Sequence, residues 1–281
     1  MRLPKLGIGT SGITRTDTLR SIFNATLPLG VRLFDTAQYY GNETQLAAAL
    51  KTELPANGLH RDDLLIVSKV DTYKMGYDKA RASALKSVSL FGHIDLLLVH
   101  WPGVRGGDKE QVVKVQRGTW AALEELQREG CVRGIGVSNY TIEDLDNLLE
   151  YSTTGPPSIM QSELHPRCHN TVARDYCREK GIQYMGYMPL GRQDLLSRQL
   201  VVDIASKYGI SPAQVLIKWS LQKGAITIPR SSDPGRIVEN VRAWQDGLVL
   251  DEVDIALMDG LEDGHTYSWN PEDKVQHQNY G

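Results

Sequence analysis

The sequence predicts a closed (β/α)8 TIM barrel carrying one extra helix at its C-terminal end. Eight short β-branched or leucine-rich runs alternate with helical patterns along the whole chain, the pattern of a parallel sheet covered by helices. No Pro/Gly/Ser-rich linker or change of composition divides the 281 residues, so residues 1–281 read as a single domain. A doubly wound sheet usually stops at about six strands, whereas eight undivided units fit a barrel.

The first strand is "LGIGT" (6–10), followed by a helix from about Asp17 in which Leu19, Ile22, Phe23 and Thr26 share a face. "VRLF" (31–34) precedes a helix over Glu43 to Leu54, and "LLIVS" (64–68) one over Lys79 to Phe91. "IDLLLV" (94–99) precedes a helix over Thr119 to Glu129, and "VRGIGV" (132–137) one opened by a capping box of Thr141 and Asp144. "SIMQ" (158–161) precedes Asn170 to Lys180. "IQYMGY" (182–187) precedes two helical stretches, the second with Ser211 as N-cap and Pro212 at its first position, ending near Gly224. "AITI" (225–228) precedes Pro234 to Ala243, and Asp251 to Leu261 is the extra helix.

Composition excludes several classes of function. Lys and Arg total 31 against 34 Asp and Glu, a net charge of -3 with no basic block, which argues against a phosphate-tracking nucleic-acid surface. No apolar run has the length of a membrane span, and Pro4, Lys5 and nearby glycines interrupt any signal-peptide core. Cys131, Cys168 and Cys177 are odd in number and lack C-x-x-C spacing, so the cytoplasm is the expected compartment.

"GIGTSG" (7–12) matches the G-x-G-x-x-G of a dinucleotide-binding turn, with Asp35 placed like a ribose-gripping acid. That reading needs a full strand before the first glycine. Only six residues precede Gly7, and Pro4 interrupts them. The glycines are therefore assigned to the first barrel strand, where small residues let backbone lie close beneath a ligand.

Polar residues end several strand runs: Asp35 after "VRLF", Lys69 after "LLIVS", His100 after "IDLLLV", and Ser138-Asn139 after "VRGIGV". Barrel enzymes place their chemistry at the C-terminal ends of strands, and successive strands bring such residues around one mouth. A tyrosine five or four residues after Asp35 (Tyr40 or Tyr39) joins them, and spacing alone leaves that choice open.

The stretches "FDTAQYYGNE", "IVSKV", "LLLVHWPG", "GVSNY", "QSELHP", "YMPLG", "IPRSSDPGRIVEN" and the late "YSW" resemble, in order and spacing, the aldo-keto reductase superfamily. The resemblance implies a catalytic tetrad of Asp35, Tyr40, Lys69 and His100, and it selects Tyr40 over Tyr39. Carbonyl reduction by hydride needs a proton delivered to oxygen as negative charge develops there. A free tyrosine, with a pKa of about 10, is a reluctant acid; an adjacent Lys69 ammonium is expected to lower it, with Asp35 fixing the lysine. The resemblance further implies NADPH as cofactor. Tyr187 would stack on the nicotinamide, Ser138, Asn139 and Gln161 would hold its carboxamide, and Leu190 would lie alongside. Arg230, Ser231 and Arg236 would meet the 2′-phosphate, with Glu239 and Asn240 near the adenine. The arginine fork suits a phosphate, so NADPH is expected over NADH.

"HPRCH" sets His165, Cys168 and His169 at metal-like spacing, but two histidines and one cysteine leave a site incomplete, and no metal is expected. The chain departs from many relatives at Ser11, where they carry tryptophan, and at Asp71, where some carry an aromatic. With Tyr39 and Trp101, these define the expected substrate pocket, suited to a small or polar carbonyl in preference to a steroid. The stretch after "YMPLG" passes through "RQDLL" almost directly into a helix, so a weaker hold on the cofactor is expected, and Met188 replaces a common serine. The N-terminus is too short for a full β-hairpin beneath the barrel. A monomer is expected. A second function, an NADP(H)-binding regulatory module with little turnover, and a Rossmann dehydrogenase using Asp35 on a ribose are the alternatives.

Overall fold

The computed structural model describes residues 3–103 and 109–268. Eight strands form one sheet in chain order: β1 (Ile8–Gly9), β2 (Leu33–Asp35), β3 (Leu65–Val70), β4 (Ile94–Val99), β5 (Val132–Ser138), β6 (Ile159–Glu163), β7 (Gln183–Tyr187) and β8 (Ile226–Ile228). Every adjacent pair is parallel. The sheet closes on itself through a parallel bridge between Leu6 and Thr227, with Gly7 N donating to Thr227 O at 3.0 Å and Thr227 N to Lys5 O at 2.8 Å. Closure removes both edges that an open sheet would expose.

The helices over the described residues are α1 (Thr16–Thr26), α2 (Glu43–Ala56), α3 (Tyr77–Phe91), α4 (Lys109–Arg128), α5 (Ile142–Tyr151), α6 (Thr171–Glu179), α7 (Arg192–Leu196), α8 (Gln199–Tyr208), α9 (Pro212–Gln222), α10 (Pro234–Gln245) and α11 (Glu252–Asp259). They shield the outer face of the sheet, and the face Leu19, Ile22, Phe23 and Thr26 of α1 is fully buried, as its spacing predicts. Ser211 caps α9 by accepting from Gln214 N, and Thr141 caps α5 by accepting from Asp144 N. Each bond satisfies an amide that the first helical turn cannot.

Two elements differ from expectation. The fourth helix starts at Lys109, ten residues before Thr119. Gly118-Thr119 has the look of a helix start, yet Thr119 Oγ1 lies within the helix, donates to Val115 O at 2.8 Å and accepts from Gly76 N at 2.7 Å. It thus caps the neighbouring α3, and Gly118 allows the close approach: a Cβ there would sit 3.1 Å from Tyr77 N. Three helices, α7, α8 and α9, follow β7 in place of two, because the left-handed Gly209 separates α8 from α9 and Ser197-Arg198 separates α7 from α8.

The barrel interior is filled by its own apolar plug of Leu3, Leu33, Val67, Leu96, Leu98, Ile159, Met185, Ile226 and Ile228. Gly136 on β5 makes room for it, since a Cβ there would lie 2.6 Å from Ile159 O and 2.8 Å from Leu98 Cδ2. Side chains alternate along a strand with period two. Two residues beyond Leu33, Val67, Leu98, Ile159 and Met185 therefore stand Asp35, Lys69, His100, Gln161 and Tyr187, all inward and all at the C-terminal mouth. The strand period that builds the plug also assembles the site.

Candidate active site

A cavity of about 650 Å³ opens at that mouth, lined by Gly9, Ser11, Asp35, Tyr39, Tyr40, His100, Ser138, Asn139, Gln161, Tyr187, Met188, Arg192, Ile228, Arg230, Tyr267 and Ser268. Its size lies within the range of small-molecule and cofactor sites, about 300–1,000 Å³.

Beneath it, Lys69 is completely buried and its Nζ donates to both Asp35 oxygens at 2.8 Å, to Thr36 O at 2.9 Å and to Tyr40 Oη at 3.3 Å. A 3-10 turn over Gln38–Tyr40 turns the Tyr40 ring toward Lys69 and leaves Tyr39 45% exposed. That turn is held from below by Asn42, whose buried amide donates to Thr10 O at 2.9 Å and Ile13 O at 3.0 Å and accepts from Thr36 Oγ1 at 2.7 Å. The His100 ring stands edge-on to Tyr40 at 5.6 Å and to Tyr39 at 6.1 Å.

The charge states follow from burial and neighbours. Burial, then the Lys69 charge, pushes the His100 imidazole well below its usual value, so it is neutral at pH 7. Burial also lowers Lys69, against the pull of Asp35 and Glu43. For Tyr40 the expected lowering is reversed. Burial and the Asp35 charge raise its phenol well above 10, and a hydrogen bond from Ser11 opposes them. Burial is the larger cause, since a phenolate out of water is costly, and the nearby Asp35 carboxylate adds to it.

Of the residues expected at a cofactor, Ser138, Asn139, Gln161, Tyr187 and Arg230 line the cavity. Gln161 Nε2 is turned to Asp35 Oδ2 at 2.7 Å, and Asn139, at φ 61°, donates to His100 O at 3.0 Å and accepts from Tyr187 Oη at 2.8 Å. Arg230 and the exposed Arg192 carry no ion pair with a carboxylate among the described residues. Ser231, just before α10, and Arg236, Glu239 and Asn240 within it are not part of the cavity wall. Ser231 Oγ accepts from Asp233 N there, and Asp233 accepts from Arg236 N. Leu190, half-buried in the turn before α7, is also off the wall. Of the expected substrate pocket, Ser11 and Tyr39 line the cavity. Trp101 is buried behind it, and Asp71 accepts from Tyr73 N at 3.1 Å as the cap of a short 3-10 turn.

The residues of "HPRCH" serve structure. His165 faces Glu163 at 2.8 Å, and His169 packs on Trp219 at 5.0 Å. The Cys168 thiol is pushed up to about 12, chiefly by burial. Arg192, Tyr267 and Ser268 are cavity residues that spacing alone does not reveal. The quoted "YSW" holds two of them without indicating a role, and its tryptophan, residue 269, lies outside the described residues.

A buried lysine chelated by a carboxylate thus lies beneath a phenol and a neutral imidazole at the mouth of a (β/α)8 barrel. The chain belongs to the aldo/keto reductase family, whose model matches residues 5–263. It is 35% identical over 271 residues to an aldo-keto reductase of Mycolicibacterium smegmatis, covering 96% of this chain and 90% of that protein. It is 34% identical over 275 residues to the glyoxal reductase of Bacillus subtilis, covering 97% and 94%. Among solved structures it is similar to a variant of Gox0644 in complex with NADPH, at a TM-score of 0.83 and 30% identity, covering 96% and 94%. The chain is thus an oxidoreductase of a family that uses nicotinamide cofactors. Among the described residues no helix is long and apolar enough to cross a membrane.

Proposed function

We propose that the protein reduces small aldehydes and ketones with NADPH, with Tyr40 as general acid. The observation that carries this reading is the fully buried Lys69, chelated by Asp35 at 2.8 Å and 3.3 Å from Tyr40 Oη, at the floor of an open cavity. The cavity fits the cofactor in chemistry as well as size. Its wall carries a tyrosine, amide side chains, and arginines that have no carboxylate partner among the described residues. Tyr187 would meet the nicotinamide, Ser138, Asn139 and Gln161 its carboxamide, and Leu190 its flank. Arg230, Ser231 and Arg236 would hold the 2′-phosphate, with Glu239 and Asn240 at the adenine.

NADPH, when bound, supplies the hydride. Tyr40 retains its proton throughout the neutral range because its pKa is raised, and it passes that proton to the carbonyl oxygen as charge grows there. Lys69 then faces the phenolate left behind, in a site where water does not screen the pair. Asp35 holds the ammonium at that distance. Neutral His100 donates its N–H toward the same oxygen and orients the carbonyl. Ser11 and Tyr39 on the wall, with Trp101 behind it and Asp71 outside it, favour a small polar substrate such as a short aldehyde.

The test is NADPH consumption with a panel of short aldehydes and a ketosteroid. Turnover on short aldehydes that falls at least a hundredfold in Tyr40→Phe is expected, in line with the ~10²–10⁴-fold worth of a general acid. NADPH binding without turnover on any carbonyl would favour a regulatory module, and a strong steroid preference would overturn the substrate class.

A further inference from the structure

We propose that Glu163 is a positioning residue that latches Tyr267 and Ser268 over the cavity mouth and, through Ser268, sets the tilt of Tyr187. The proposal rests on the reading that the cavity takes NADPH. Glu163 stands two residues beyond Gln161 on β6, faces inward, and is paired in register with Tyr187 of β7. It is 2% exposed, and a buried carboxylate is tolerated only when its oxygens are fully satisfied.

Four donors meet it. Oε1 accepts from His165 Nε2 at 2.8 Å and Tyr267 N at 2.5 Å, and Oε2 accepts from Ser268 N at 3.1 Å and Ser268 Oγ at 2.6 Å. Arg167 N donates to His165 Nδ1 at 3.2 Å, so Nε2 is the nitrogen that carries the proton offered to Glu163. Three of the four donors thus belong to residues 267 and 268. Withdrawal of that segment would leave His165 as the carboxylate's one donor among those four. Burial by itself would raise the Glu163 pKa; the bonds from His165, Ser268 and Tyr267 outweigh it and hold the carboxyl below its usual value.

The hub reaches the cofactor end in one further contact. Ser268 Oγ lies 3.0 Å from Tyr187 Oη, which also donates to Asn139 Oδ1 at 2.8 Å. The three contacts Glu163–Ser268, Ser268–Tyr187 and Tyr187–Asn139 share only two hydroxyl hydrogens. The carboxylate is the strongest acceptor and takes the Ser268 proton. The Tyr187 hydroxyl is then divided between Ser268 and Asn139. The ring expected against the nicotinamide is therefore steered from both sides.

A second set of contacts pins the same segment to α7. Arg167 pairs with Asp263 at 2.6 Å and with Asp194 at 2.7 Å, and the Tyr267 hydroxyl bonds Asp194. Gly191 leaves space for the Tyr267 ring: a Cβ there would sit 2.8 Å from Tyr267 Cε2. Because α7 starts directly after Gly191, no long loop follows β7 to cover the cofactor. Residues 263–268 do that work instead.

The test is NADPH release by stopped-flow fluorescence and affinity by equilibrium titration, on wild type, Ser268→Ala, Glu163→Gln and the double variant. Glutamine keeps the shape of Glu163 but turns an NH2 toward donors. Release about tenfold faster is expected in each single variant, the scale of one or two charge-assisted hydrogen bonds lost. Because Glu163 acts partly through Ser268, the double variant should release little faster than Glu163→Gln alone. Ser268→Ala keeps the Tyr267 and Ser268 amides as donors to Glu163, is expected to fold with only a small drop in melting temperature, and carries the test if Glu163→Gln does not fold. Unchanged release in Ser268→Ala, or fully multiplicative effects, would overturn the proposal while wild-type NADPH binding stands. A wild-type protein that binds no NADPH would overturn the cofactor reading and this proposal together.

Discussion

Replacing Asp35 with asparagine probes the centre of the site. Asp35 accepts two bonds from Lys69 at 2.8 Å and one from Gln161 Nε2 at 2.7 Å. Asparagine offers one accepting oxygen and turns an NH2 toward one of those donors. The side chains are 0% and 3% exposed, so water does not repair the loss. Removing one partner of a buried pair costs about 3–5 kcal/mol, and the figure is an upper bound because Lys69 can neutralise instead. The sign of the pH dependence follows. Burial already lowers the folded-state pKa of Lys69 below its unfolded value, and Asp35 opposes that lowering. Without Asp35 the lowering deepens. Between the lowered folded value and about 10.4 the unfolded chain then binds the extra proton, so stability rises with pH in that window. The penalty in Asp35→Asn should therefore be greatest near neutrality and shrink toward pH 10. At about 2–3 kcal/mol per molar of urea, the midpoint at pH 7 should drop by roughly 1–2 M, and kcat/KM by about 10²–10⁴. Urea melts at pH 7 and pH 9.5 with parallel kinetics provide the assay. A variant with a wild-type midpoint at pH 7, or a penalty that grows with pH, would refute the reasoning.

Because burial keeps His100 neutral and Tyr40 protonated, kcat/KM for reduction should be flat from about pH 6.5 to pH 9. A pH–rate profile that declines within that range would contradict those charge states. Arg230→Ala should raise KM for NADPH by about ten- to a hundredfold, the worth of a lost charge-assisted phosphate contact, with little change for NADH; equal effects on both would remove Arg230 from the 2′-phosphate. Gly136→Ala would drive a methyl to 2.6 Å from Ile159 O, so calorimetry should record a loss of about 1–3 kcal/mol from overpacking.

The inward positions of the barrel were legible because strand period and strand ends can both be read from the letters. Asp35, Lys69 and His100 sit where those two rules intersect, whereas Gln161 was expected only through the family resemblance. Tyr40 needed more than spacing. A 3-10 turn decides which of two adjacent tyrosines meets Lys69, and a turn of that length leaves no periodicity to read. The early start of α4 was hidden because Thr119 serves as cap for another helix, a contact between residues 43 positions apart. Glu163 was equally opaque: its meaning lies in residues 104 and 105 positions downstream.

The closing seam of the barrel gives its smallest strands an outsized part. β1 contributes only Ile8 and Gly9 to the ladder with β2, and its other flank is joined to β8 by a few amides, among them Gly9 N to Pro229 O at 3.0 Å. Local opening follows the weakest hydrogen-bonded boundary. The amides of Gly7, Gly9 and Thr227 carry this closure, and their hydrogen exchange reports its opening. Gly9 and Arg230 stand on opposite lips of that seam and both face the cavity. A ligand that bridges them would act as a rivet, and the protein should resist unfolding most at the joint where its chain has least to hold it.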